Sequence, residues 1–403
     1  EGAGGMGQCV QTEMPKDRQR LAVQAPKTTR LLADVGGLRG LQDLGGTGVL
    51  TGRPGDGGRL LQMLHDHKDA VLGCSFSTCG KIFATCSSDG TARIWDAAQG
   101  QSQLVLSSHE GAVHSCCFSS DSTFFVTVAA DARASVWRTD SWAPPWTGCD
   151  TRPERVIKGF VEGVLCCAFS NDGKWLAFGG HDTNLRVWCT RTWRCSRTAE
   201  GHEGSIMCCR FCPESAQVVT GADDRTIRVW AVEKKFVCIQ VLEGHNGYIC
   251  SLAFSTTGVC VSGSSDGSIR VWSPDVRRLS YDCACFGCEL TTVVGTAAVR
   301  GLQFSADDSL LLAACDSTVK VWAVSTGWTL LCSFATHGDT VADLSVAPDG
   351  RVLTCCVDGS VALWSLVMRT EPLTARGDGD CFIPPRVLAC VCGAVEKTGM
   401  ADV

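Results

Sequence analysis

From Tyr248 to Trp272 the chain reads YICSLAFSTTGVCVSGSSDGSIRVW, with apolar and polar positions alternating on a two-residue period. Alternation of this kind predicts β-strands with a buried face, whereas a helix would repeat its apolar positions every three or four residues. The breaks at TTG and SSDG supply turns between three such strands. The same phrasing recurs along the chain and closes each time on a tryptophan: Trp95, Trp137, Trp188, Trp230, Trp272, Trp322 and Trp364. Successive tryptophans are 42, 51, 42, 42, 50 and 42 residues apart, a 42-residue period with two insertions. Helical periodicity is absent throughout.

A 42-residue unit has room for four short strands, and a sheet with two apolar faces must stack on copies of itself. Radial stacking leaves the fewest open edges. The expected fold is all-β, a seven-bladed β-propeller over residues 58–366, with irregular extensions at 1–57 and 367–403.

The polar residues inside the repeat carry a second pattern. An aspartate stands six residues before every repeat tryptophan: Asp89, Asp131, Asp182, Asp224, Asp266, Asp316 and Asp358. Five copies add a histidine 27 or 28 residues before the tryptophan, at His67, His109, His202, His245 and His337. The same five place a hydroxyl four residues before the aspartate, at Thr85, Thr127, Thr220, Ser262 and Thr354. Where the histidine is missing, in the copies ending at Trp188 and Trp322, the hydroxyl is replaced by Phe178 and Leu312. Joint loss is what a buried hydrogen-bonded chain predicts, running from indole N–H through hydroxyl and imidazole to carboxylate, because each member satisfies the next. A hydrolytic triad uses similar residue types, but five equivalent triads in one chain make no catalytic sense.

The Gly-His pairs at Gly201-His202 and Gly244-His245, the Trp-Asp at Trp95-Asp96 and the repeat period together resemble the WD-repeat β-propeller family, over about three quarters of the chain. Trp-Asp survives literally in one copy only. The resemblance implies that the His–hydroxyl–Asp–Trp network is structural. It also implies that the last blade is completed by the N-terminal segment GRLLQML, Gly58 to Leu64. For function it implies a non-catalytic interaction scaffold, a subunit of a multiprotein assembly. Some family members instead serve as substrate receptors of cullin-type ubiquitin ligases through Trp-Asp-x-Arg; here Trp188-Cys189-Thr190-Arg191 keeps the arginine, as Arg191, and has cysteine for the aspartate.

Charge narrows the partner class. With 36 basic and 42 acidic residues, a formal charge of −6, no basic surface is on offer for nucleic acid or anionic membrane. The apolar run Val387–Val395 is far shorter than the ~20 residues of a membrane-spanning helix, so no membrane insertion is expected. The chain starts on Glu1 with neither a basic nor an apolar leader. Twenty-seven cysteines in a long strand-patterned chain predict a reducing, intracellular, chiefly cytoplasmic setting, compatible with a cytoskeletal or ciliary assembly. The doublets such as Cys208-Cys209 fall inside strands, as small buried apolar residues.

No cofactor and no metal are expected. CACFGC, with Cys283, Cys285 and Cys288, lacks a second ligand pair. GAGGMG (Gly2–Gly7) has neither the strand before it nor the helix after it that a dinucleotide fingerprint needs. Arg376-Gly377-Asp378 reads as a chance match to an integrin tripeptide. With no P-loop and no nucleophile elbow, an enzyme is not expected.

Protein partners are therefore the expectation, and two features offer surfaces for them. The insertion RTDSWAPPWTGCDTRP sets Trp142 and Trp146 beside prolines, either as exposed partner anchors or as rings folded back onto the neighbouring blade. The turn after the repeat histidine is acidic in four copies, with Asp69, Glu110, Glu203 and Asp339, and reads Asn246-Gly247-Tyr248 in the fifth. Asp223, next to the network Asp224, turns toward the same rim, and together these acids predict a docking surface for a basic peptide.

Overall fold

A computed structural model describes residues 57–366 apart from 145, 147, 233 and 275–285. The two terminal extensions lie outside the described residues, together with Gly2–Gly7, Arg376-Gly377-Asp378, Cys283 and Cys285. Among the described residues there are twenty-eight strands, β1 to β28, in seven four-stranded antiparallel sheets, and no helix.

The fourth blade shows the plan. Strands β14 (Ile206–Phe211), β15 (Gln217–Ala222), β16 (Ile227–Ala231) and β17 (Val237–Leu242) lie side by side in chain order. The central strands are buried on both faces, with Val218, Val219, Ile227 and Val229 fully inaccessible. This is why the sequence there reads as β-branched runs. β17 is mostly half-buried, with Val237 and Val241 exposed on the outer edge. The apolar core lies between blades rather than within one. Phe76, Phe83 and Trp95 of the first blade pack with Leu353, Val361 and Leu363 of the seventh.

Every inner strand carries a register shift after its first residue, as between Ile206 and Cys208 in β14. Such bulges increase the local twist. The inner edges leave backbone N–H groups facing the centre, and side chains of neighbouring inner strands satisfy several of them. Ser345 Oγ accepts from Phe76 N (3.1 Å), Ser251 Oγ from Leu302 N (3.1 Å), and Gln303 Oε1 from Val346 N (3.0 Å).

The seventh blade is completed from the other end of the propeller sequence. β1 (Gly58–Leu64) pairs antiparallel with β28 (Val361–Leu366), in the sheet order β1-β28-β27-β26, where β26 is Val341–Val346 and β27 is Arg351–Cys356. GRLLQML thus stands where the resemblance implied. Glycine is required at the entry, because a Cβ on Gly58 would stand 2.6 Å from the Phe334 ring of the preceding blade.

Each network aspartate opens a turn whose next residue is left-handed. Glycine meets this at Gly90, Gly267 and Gly359 (φ 81, 76 and 88°), while Ala132, Thr183 and Arg225 adopt it at φ 58, 63 and 67°. The sixth blade differs. The hairpin joining β23 (Leu310–Cys315) and β24 (Thr318–Ala323) is one residue shorter, so Asp316 itself takes the left-handed position at φ 53°. Ala313, opposite Lys320, therefore stands where Thr220, opposite Arg228, stands in the fourth blade. This corrects the sequence alignment, which placed Leu312 there.

Because β1 supplies the last blade's fourth strand, deleting the chain through Leu64 is expected to lower the thermal midpoint markedly and to expose the β28 edge. Circular dichroism melting and size-exclusion chromatography check this. A truncated chain with an unchanged midpoint and no added self-association would contradict the closure.

Candidate binding rim and the networks beneath it

Strands alternate in direction, so the turns that follow the network aspartates and the loops that carry the histidines meet at one rim. The networks tie these two sets of loops together. In the fourth blade His202 Nδ1 lies 2.8 Å from Asp224 Oδ2 and Nε2 lies 2.7 Å from Thr220 Oγ1, while Trp230 Nε1 donates to Thr220 Oγ1 at 2.8 Å. Asp224 also accepts from Glu203 N (3.0 Å) and Thr226 N (2.9 Å), anchoring both loops to one carboxylate. The same chain forms through His67, Thr85, Asp89 and Trp95, and through His245, Ser262, Asp266 and Trp272.

Two of the five expected networks depart from the plan. His109 bonds Asp131 (3.1 Å) and Thr127 (2.8 Å), yet the buried Trp137 Nε1 has no hydrogen-bond partner. There Trp142 packs edge-on against Phe125, and Phe125 and Trp137 are tilted by 38°, where Phe83 and Trp95 stack at 10°. In the seventh blade Thr354 still joins His337 Nε2 (2.8 Å) and Trp364 Nε1 (3.0 Å), but His337 Nδ1 turns to Ser360 Oγ at 2.7 Å instead of Asp358. Asp358 is bonded by Ser360 instead.

The two blades without histidine are satisfied differently. In the third, Phe160 fills the histidine's place and forms an aromatic cluster with Phe178 (5.3 Å) and Trp188 (5.4 Å). Asp182 there pairs with Arg186, whose guanidinium lies over the Phe160 ring. In the sixth, Val294 packs in the cluster that holds Trp322. Each of these aromatic or aliphatic solutions removes hydroxyl and imidazole together.

Electrostatically the imidazoles are neutral bases. Burial disfavours the charged ring and outweighs the paired carboxylate at His67, His109 and His202, and it lowers His245 from the ordinary 6.5 to about 4. His337 is likewise lowered by burial to about 4. Burial pushes the Asp89 and Asp266 carboxyls up, but hydroxyl, imidazole and backbone donors outweigh it and hold both at about 2.

Above the networks, the side chains of Asp69, Glu203, Asp223 and Asp339 are exposed and have no ion-pair partner among the described residues. Glu110 is exposed and pairs with Arg133 at 3.1 Å. Lys68 and Arg225 stand among these acids, also exposed. Tyr248 is half-buried. The sequence reading missed Glu162, exposed on the loop after Phe160, because the histidine that marks the acidic turn is absent from that copy. It also missed Asp343, an inner-strand carboxyl that burial pushes up to about 6 against the pull of Arg210.

Trp142 is a correction. It is 3 % exposed, sits in the core cluster of Phe118, Phe125 and Trp137, and so is no surface anchor. Its apolar ring gains more by covering the blade than by standing in solvent. Trp146 is half-buried against the same cluster. Arg191 is exposed, on the turn between the third blade's outer two strands and hence at the opposite rim. Cys288 is half-buried, and Arg270 donates to its sulfur at 3.9 Å.

Seven stacked four-stranded blades, closed by the N-terminal strand and pinned by His–hydroxyl–Trp networks, define a repeat propeller. The chain belongs to the WD-repeat β-propeller family: a model of the IFT122 first beta-propeller matches residues 54–281, and a model of the WD domain, G-beta repeat, matches residues 287–323 and 328–365. Among curated proteins, the chain is similar to the SIR4-interacting protein SIF2 of Saccharomyces cerevisiae, with 34% identity over 79 residues, 19% of this chain and 15% of that protein. It is also similar to apoptotic protease-activating factor 1 of Mus musculus, with 35% identity over 71 residues, 17% of this chain and 6% of that protein. The chain thus matches only a small part of each relative's length.

Asp224→Ala is expected to cost about 2–3 kcal/mol, because it strands His202 and two backbone donors, whereas Asp223→Ala should stay within about 0.5 kcal/mol of wild type. Urea denaturation of the two variants decides, and a larger loss for Asp223→Ala would reverse the assignment. The pH dependence follows from the shifted groups. Folded-state values below the unfolded ones mean the histidines' contribution is whole above pH 6.5 and drains as pH falls toward about 4. Asp89 and Asp266 add a second loss between pH 3.8 and about 2. Denaturation midpoints that stay flat from pH 7 to 4 would contradict the neutral-imidazole networks.

Proposed function

We propose that the chain is a non-catalytic protein-interaction scaffold within a multiprotein assembly, and that the acidic rim docks a basic segment of a partner. The observation that carries this reading is the set of exposed, unpaired carboxylates Asp69, Glu203, Asp223 and Asp339 on loops whose bases are held rigid. The recurrent His, hydroxyl and Asp residues of the first, second, fourth and fifth blades are consumed by the fold, which leaves recognition there to the loop tips. Rigid loops lose little entropy on binding, and clustered charge speeds encounter and sets register.

Membership of the family supports interaction rather than turnover, and a cytoplasmic assembly, cytoskeletal or ciliary, fits the same reading. The name of SIF2 describes an interaction of that protein, which agrees in kind with a binding role here.

The test is direct. An arginine-rich peptide titrated by fluorescence anisotropy should bind wild type with strong salt dependence. It should bind at least about tenfold more weakly to the quadruple variant Asp69→Asn, Glu203→Gln, Asp223→Asn, Asp339→Asn. Thermal midpoints should match, since none of these carboxylates belongs to a network. Equal affinity for both proteins would remove the acidic rim as the docking surface.

A further inference from the structure

The altered network of the seventh blade brings together donors of another kind. An imidazole nitrogen of His337, the sulfur of Cys356 and a carboxylate oxygen of Asp358 all lie within 4.8 Å of one another. We propose that His337 Nδ1, Cys356 Sγ and the Asp358 carboxylate form a zinc-binding site, with the fourth coordination position open to solvent. Imidazole nitrogen, thiolate and carboxylate oxygen are each ligand types that zinc accepts, and three protein ligands with an open fourth position is a recurrent zinc arrangement.

Charge balance favours the site. One thiolate and one carboxylate cancel the two charges of the ion, with the imidazole neutral, so no net charge is placed on a half-buried pocket. Cys356 binds zinc as the thiolate, so its thiol must give up its proton. The binding step therefore breaks one S–H bond, forms one S–Zn bond and releases one proton to solvent.

Orientation is also provided. When Nδ1 binds the ion, Nε2 must carry the ring's proton, and Thr354 Oγ1 lies 2.8 Å away to accept it. Thr354 must then send its own proton elsewhere, and Ala362 O lies 3.5 Å from its oxygen. Among the described residues no other network hydroxyl has such a second acceptor.

Among the described residues the site belongs to this blade alone. Residues Ser87, Ala129, Ala222 and Ser264 occupy the position of Cys356 in the other four histidine-bearing copies. In those copies the imidazole is closed against its aspartate, whereas here it faces Ser360. Asp358 is exposed and His337 half-buried, which gives an ion a path in. Spacing hid the site from motif reading, because His337 stands in the loop before β26 while Cys356 ends β27 and Asp358 lies in the turn after it.

Cys356→Ala is the decisive variant, since Ala129 and Ala222 hold the same place beside histidines that reach their aspartates. The full chain is titrated with zinc against a chromophoric chelator, and with cobalt as a spectroscopic probe. Wild type should bind one zinc with release of one proton, show a thiolate-to-cobalt charge-transfer band and gain thermal stability on loading. Cys356→Ala should keep the metal-free midpoint, lose the band and bind zinc about a hundredfold more weakly. If it fails to fold, Cys356→Ser, which restores the residue of the first and fifth copies, is read in the same way. Equal zinc affinity in the variant would place the metal on other cysteines and overturn the proposal, as would a wild type that shows no charge-transfer band.

Discussion

No blade of this molecule can bury its own faces. A four-stranded sheet with valines and isoleucines on both sides is stable only between two others, and the apolar clusters accordingly join residues of adjacent blades. Everything else depends on the ring being continuous, which comes down to the pairing of β1 with β28. That seam joins the two ends of the propeller, so a local change there acts on all seven interfaces. The inner edges face the same constraint at smaller scale, and serine and glutamine side chains of neighbouring strands satisfy backbone donors there.

Within that ring, polar burial follows an all-or-none logic. A buried imidazole is tolerable only with both nitrogens bonded, and an indole N–H is best bonded as well. In blades four and five both imidazole nitrogens and the indole N–H are bonded, while blade three removes these groups' demands by substituting Phe160 and Phe178. Trp137 marks the boundary of this logic, an unbonded indole in the blade where an extra tryptophan packs against its neighbour. Burial also decides the charge state: desolvation exceeds the attraction of each aspartate, so the networks work as neutral hydrogen-bonded chains rather than ion pairs.

The division of labour between adjacent residues follows. Asp224 is committed to His202, Thr226 and the Glu203 amide, whereas the neighbouring Asp223 is exposed and free of ion pairs among the described residues. A rigid frame that spends its recurrent polar residues internally can vary its loop tips without cost to the fold. That is how one architecture serves many partners.

By itself, the sequence determined the all-β class, the seven units and the composition of most networks, while the closing strand was implied by the family resemblance. Class, units and networks are properties of period and of residue type at fixed spacing, and local turn chemistry plus alternation are enough to specify them. What the tertiary structure decided was everything that depends on direction and on neighbours. Trp142 went to the core because the insertion loop folds back over Phe125. Ala313 replaced Leu312 at the hydroxyl position because one hairpin is shorter by a residue. His337 left its aspartate for Ser360, and with Cys356 at the end of β27 and Asp358 in the turn after it made a donor cluster. None of these could be read from spacing, because side-chain direction is set by the packing of elements far apart in the chain.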